Sequence, residues 1–338
     1  MNELPTTFAS LRDLERLPWF EGYDDRVIVK HKDVGPIIDV HTHVALAFIR
    51  PMAVDLYKEH PHTEHYLGSC CGFDLNPYGN RNFSPDALST LKKDMSLKSL
   101  TAGGMRRTHT VPNLVREMDE LGVTQSVLLA IDFPLFSDNS KHAIEASKKT
   151  ERIIAFGSVH PYGRNVREKL DEQVARGVRG IKIHPAVQQF RPDDPKAMDL
   201  YRMCGERNLT VLWHCGPVGI VSHAADFRSQ VKFYEKPLAE CPKTNFILGH
   251  AGALQYEDAL ALVKKYRNAY PEISSQGLHG VRRMIDGCDP DRVLFGSDWP
   301  FYHQAFPLAK VLIATEGKLD LRHKVLHENA RKLLRIPS

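Results

Sequence analysis

From residue 111 onward, the apolar positions switch repeatedly between a helical spacing and short continuous runs. Residues 111–121 read as an amphipathic helix stopped by Gly122, and residues 125–131 as a buried strand. The exchange then repeats. Helix 139–150 precedes strand 153–159, helix 166–175 closes at Gly177 before strand 178–183, and helix 194–207 precedes strand 209–213. A helix over 227–240 leads to strand 245–248, and helix 256–266 to a short strand at 272–275. Helix 281–288 leads to strand 292–295, and helices 306–314 and 321–334 end the chain. Upstream, a Gly35-Pro36 turn launches one more apolar run, 37–40.

Strands alternating with helices imply a parallel sheet. Counting from residue 37 gives eight strands, the number that closes a (β/α)8 TIM barrel, so an α/β protein of that type is expected. A doubly wound open sheet is the alternative, but no GxGxxG opens a helix. Residues 1–34 read as an N-terminal extension, in which Phe8, Leu11, Leu14, Leu17 and Phe20 recur at helical spacing. The barrel then spans 35–338. Within it, residues 50–108 carry scattered prolines and glycines and read as an insertion after strand one, a lid or pocket wall. His60, His62 and His65 lie inside it and read as surface loop residues.

Composition changes little in this picture. With 42% hydrophobic and 25% charged residues the chain is an ordinary globule, and a net charge of +4 without a basic block gives no reason to expect nucleic acid. No run of about 18 apolar residues suggests a membrane span, and the N-terminus lacks the apolar core of a signal peptide. The six cysteines show no CxxC spacing, so reduced thiols and a cytoplasmic protein are expected.

The 17 histidines change the picture more. In an extended chain His41 and His43 share one face and could grip one metal ion at the end of strand one. Barrel chemistry sits at the carboxyl ends of strands. Those ends carry His160, then Lys182 and His184, then His214, His250 and Asp298. One such histidine would read as a satisfied core residue; polar residues at six strand ends point to a site.

His-x-His after strand one, His214, His250 and Asp298 together resemble the amidohydrolase superfamily of metal-dependent barrels. Gly-Ile-Lys-Ile-His-Pro, Gly-His-Ala-Gly, Gly-Ser-Asp-Trp-Pro and the closing Glu-Asn-Ala-Arg-Lys-Leu-Leu look like its amidohydrolase-2 branch. The likeness runs from about Pro36 to the C-terminus, omits residues 1–34 and is poor over 50–108. That branch holds lactonases, amide and ester hydrolases, and non-oxidative decarboxylases.

The resemblance implies that His41, His43, His214 and Asp298 bind one divalent metal, zinc first, with manganese or another divalent ion as alternatives. Asp298 would also shuttle the proton of an attacking water, and His250 would polarise or hold the substrate. In binuclear relatives a carboxylated lysine at the position of Lys182 bridges two ions; the mononuclear reading is placed ahead. Lys182, His184, His160, Trp299 and His303 are substrate-binding candidates. The implied activity is hydrolysis of a lactone, ester or amide of a small, aromatic or heterocyclic substrate. The alternative is decarboxylation of a phenolic or unsaturated acid, with Arg81, Arg106, Arg107 or Lys182 holding the carboxylate. Similar proteins are commonly homodimers. A non-catalytic binding scaffold is the third class.

Overall fold

The computed structural model describes residues 4–23, 26–30, 32–48, 50–133 and 137–337. Its centre is a seven-stranded sheet in which spatial order follows chain order and every pair is parallel. The strands are Ile37–Thr42, Val123–Leu129, Ile153–Gly157, Gly180–Ile183, Thr210–His214, Phe246–Gly249 and Ala269–Pro271. Helices connect consecutive strands, as parallel neighbours require.

The expected eighth strand at 292–295 is reduced to single bridges, Glu272 with Leu294 and Thr42 with Trp299. The same stretch still bonds to both edges of the sheet. Leu294 N donates to Pro271 O (2.9 Å), while Val40 N donates to Phe295 O (3.0 Å) and His43 N to Trp299 O (2.7 Å). The seventh strand, Ala269–Pro271, begins three residues before the expected 272–275 and ends four before it, so Glu272 lies just past the strand rather than at its start.

Inside the curl, Ile38, Val40, Val127, Phe156, Leu212 and Ile247 form one apolar cluster, which the C-terminal Leu334 and Ile336 join. Histidines and carboxylates lie beyond it, at the strand ends. The first strand changes register between Asp39 and Thr42, an irregularity of the kind that re-aims side chains.

Helix Val111–Leu121 has its expected bounds, and Gly122 ends it in the left-handed conformation (φ 72°). The helix expected over 227–240 is broken into His223–Arg228, a 3-10 turn Val231–Tyr234 and Glu235–Glu240. Pro237, in the first turn of Glu235–Glu240, bars an α-helical bond back to Phe233, so this helix starts afresh after the 3-10 turn; the gap at Ser229–Gln230 lies upstream of its reach. The N-terminal pattern is not one amphipathic helix either. Phe8 lies in a two-residue strand paired with Phe73–Asp74, and Arg12–Arg16 is a 3-10 turn. A hairpin follows, Phe20–Tyr23 against Arg26–Val29. Leu17 precedes Pro18 and is extended (ψ 144°), which stops the turn there. All five periodic residues are nonetheless buried.

Residues 50–108 are threaded into the main core rather than laid over it: Val54, Leu56, Tyr66, Leu67, Phe73 and Leu75 belong to the largest apolar cluster. Helix Pro85–Met95 is capped by Ser84, whose Oγ accepts from Ala87 N (3.1 Å). Among the described residues no helix is long and apolar enough to cross a membrane. All six cysteines are unpaired.

Candidate active site

The strand ends converge on one cavity of 810 Å³. His41, His43, Lys182, His184, His214, His250 and Asp298 all border it. His41 Nε2 and His43 Nε2 lie 3.6 and 3.8 Å from Asp298 Oδ1, too far for hydrogen bonds. One donor atom from each of the three lies within 4.8 Å of the others. Such spacings suit ligands set around an ion at about 2.0–2.2 Å.

The ring nitrogens are already assigned by their partners. His41 Nδ1 meets Glu272 Oε2 at 2.6 Å and His43 Nδ1 meets the Leu129 carbonyl at 3.0 Å. Both partners only accept, so both Nδ1 atoms carry the proton and both Nε2 atoms present lone pairs. A second chain of bonds acts on His214. Ser274 Oγ donates to Glu272 Oε2 (2.9 Å), so it accepts from His250 Nδ1 (2.9 Å). His250 Nε2 then accepts from His214 Nδ1 (3.1 Å), which leaves His214 Nε2 unprotonated. The donor set therefore fits a divalent ion. Burial agrees: it holds His41, His214 and His250 well below the ordinary imidazole range and His43 at about 3, so the rings are neutral.

His214 stands slightly apart from the other predicted ligands. It belongs to no tight donor cluster with them, and its ring stacks on His184 at 3.9 Å. Neither nitrogen of His250 is free for substrate; its ring is wedged between His41 (4.7 Å) and His214 (4.8 Å). His184 is better placed. Its Nδ1 accepts from Val187 N (3.4 Å), so its Nε2 carries a proton that can be donated inside the cavity.

Lys182 is fully buried, with Nζ 3.2 Å from His41 Nε2. Burial pushes the Asp298 carboxyl up and the Lys182 ammonium down, towards a neutral pair. A bound cation would reverse that direction for Asp298. Asp298 Oδ2 accepts from Ser275 Oγ (3.1 Å), which turns Oδ1 to the histidines.

Other candidates are placed elsewhere. Trp299 is fully buried and donates Nε1 to Glu117 Oε2 (3.0 Å). His303 faces the same carboxylate at 3.6 Å, and His65 at 3.0 Å. His65 is thus a buried partner of Glu117, not the surface loop residue expected. His160 Nε2 donates to Gln188 O (2.9 Å) and borders a separate, smaller cleft. Arg106 is buried against the carbonyls of Leu46 and Thr101, and Arg107 pairs with Glu64. No arginine borders the cavity among the described residues.

Two buried carboxylates escaped the sequence reading. Glu272 orders His41, Ser274 and His250 N (3.1 Å). Asp39 accepts from His41 N (3.0 Å), Ser297 N (2.9 Å) and Gln304 Nε2 (2.6 Å), and burial pushes its carboxyl up to about 7. For Asp39 the signal was a charged residue inside an otherwise apolar strand.

Comparison with known proteins supports the fold. An uncharacterised TIM-barrel protein from Bordetella bronchiseptica is 17% identical, with TM-score 0.61 over 89% of this chain and 99% of that one. A probable 2-pyrone-4,6-dicarboxylic acid hydrolase from Acinetobacter baumannii is 14% identical, with TM-score 0.57 over 89% and 99%. A 2,6-dihydroxybenzoate decarboxylase from Rhizobium is 15% identical, with TM-score 0.56 over 87% and 99%. No curated protein sequence matches the chain. The amidohydrolase family profile, by contrast, matches residues 38–336. With that match across most of its length, the chain belongs to the amidohydrolase-2 family, whose members are metal-dependent hydrolases and decarboxylases.

Proposed function

We propose that the protein is a hydrolase of a lactone, ester or amide, dependent on one divalent metal ion, zinc in the first instance. The observation that carries this reading is the Asp298 carboxylate, fixed by Ser275 and aimed at two imidazole lone pairs inside a largely apolar cavity. His41, His43, His214 and Asp298 would hold the ion. Bound there, it supplies Lewis acidity and brings the pKa of water towards neutrality.

The chain's own groups supply the rest. Asp298 takes the proton of the attacking water and returns it to the leaving group. His184 donates Nε2–H to the carbonyl oxygen, where negative charge builds. Glu272 keeps the His41 tautomer ligand-competent, and His250 does so for His214. Lys182, beside His41, neutralises charge at the base of the cavity.

Lys182 also gives the alternative, decarboxylation, its one support: a buried cation that could hold a departing carboxylate. Hydrolysis is favoured because, among the described residues, no arginine borders the cavity and the second cation on its lining, Lys92, lies on the exposed rim of the helix wall rather than beside Lys182. The test incubates metal-loaded protein with lactones, aryl esters, amides and phenolic acids. Acid release from the first three is expected. Bicarbonate release from phenolic acids, with none of the others consumed, would overturn the reading.

A further inference from the structure

The histidines, Lys182 and Asp298 of the cavity lie at the strand ends, while its walls are largely apolar, with Asn80, Lys92, Ser96 and Ser222 as their polar members. One wall comes from Phe83 and helix Pro85–Met95, which present Phe83, Leu91 and Met95. The facing wall comes from the loop after the fifth strand, which presents Val218, Ile220 and Val221. Asn80 Nδ2 bonds to Val218 O and ties the two walls together. Phe83 is itself braced by Tyr302, stacked at 5.5 Å and 13°. Val221 stays 37% exposed, although it is apolar.

A volume of 810 Å³ lies near the upper end of small-molecule sites, and such sites use apolar walls to bind and a few polar groups to orient. We infer that these six side chains form an acyl-chain subsite. The substrate then carries an extended apolar body attached to the carbonyl that reacts at Asp298. The inference rests on the hydrolase reading for the reacting end, while the subsite itself can be tested without turnover.

The experiment uses metal-loaded, full-length protein and two probe series. Binding is measured calorimetrically with the unreactive ketones 2-butanone and 2-decanone. Hydrolysis is measured with p-nitrophenyl acetate and p-nitrophenyl decanoate. The expected result is 2-decanone binding at least about 100-fold tighter than 2-butanone, below the full value for burying its extra methylenes. V221D and M95E should each cut that ratio at least about 10-fold, and V221D alters a part-exposed site where folding is readily checked by thermal melting. Equal affinity for the two ketones, or ratios unchanged in both folded variants, would overturn the subsite. Failure to hydrolyse either ester, with the ketone preference intact, would count against the hydrolase reading and leave the subsite standing.

Discussion

His41 Nδ1 and Glu272 Oε2 meet at 2.6 Å in a fully buried setting. The carboxylate fixes which nitrogen of His41 keeps its proton, and so which one faces the cavity. Glu272→Gln keeps the shape but weakens this bond. Metal affinity, measured by chelator competition, should fall about 10–100-fold. Unchanged affinity would show that Glu272 serves packing alone.

Gly296 makes that meeting possible. A Cβ at this position would run into Glu272 Oε1 and come within 2.7 Å of His41 Cβ. Gly296→Ala should therefore cost about 1–3 kcal/mol of stability by overpacking and lower metal affinity at the same time. Thermal melting with and without added zinc checks both. A variant that melts and binds like the parent would contradict the packing described.

Glu117 is the hub behind Asp298. It accepts from Trp299 Nε1 (3.0 Å) and Gln304 N (2.6 Å) and pairs with His65 (3.0 Å). Glu117→Ala strands these donors in the interior and should destabilise by about 3–5 kcal/mol. Urea unfolding gives the value. A loss below about 1 kcal/mol would mean the donors find other partners.

Acid should destabilise the protein over two overlapping ranges of pH. Burial holds His109 down to about 3 and His303 down to about 4, against an ordinary 6.5. The unfolded chain thus takes up these protons first, and stability present above pH 6.5 is lost as pH falls through 4. Burial would raise Glu117, but His303 and His65 outweigh it and bring the carboxyl to about 2, so its share is lost between 4.5 and 2. Protonation of Asp39, held up at about 7, works the other way down to 3.8, so urea midpoints should fall most steeply below 4.5, where the histidines and Glu117 act together; a flat profile from 4.5 to 3 would contradict the burial of neutral imidazoles.

Lys182 offers a test of how many ions the site takes. With Nζ 3.2 Å from His41 Nε2, it reads as a charge at the base of the cavity. Lys182→Met should keep about one ion per chain while activity falls at least about 10-fold. A wild-type ratio near two, halved in the variant, would establish the bridging role instead.

Much of this was legible in the sequence, and the rest was hidden for identifiable reasons. Period switches mark strands and helices well where each element buries one face, as at Val111–Leu121. They fail where proline redirects the chain at Leu17-Pro18, and over 223–240, where the chain takes three short helical pieces. His41, His43 and Asp298 were legible because a polar side chain at a strand end is conspicuous. Glu272 was hidden because the seventh strand ends at Pro271, four residues earlier than the pattern suggests. Asp39 lies between Ile38 and Val40 and reads as part of an apolar run. Glu117 sits on a helix, where nothing local reveals that Trp299, His65 and His303 turn towards it. Long-range partners of a buried carboxylate leave no periodic trace. The same blindness makes Trp299 and His303 look like cavity residues, when both belong to the layer behind it.

The central claim is that His41, His43 and Asp298 hold an ion on which activity depends. The direct measurement is elemental analysis of wild-type, His41→Ala and Asp298→Ala protein, reconstituted with zinc and freed of excess by gel filtration. About one ion per chain is expected in the wild type and essentially none in either folded variant. Retention of a full equivalent by Asp298→Ala or His41→Ala would contradict the account.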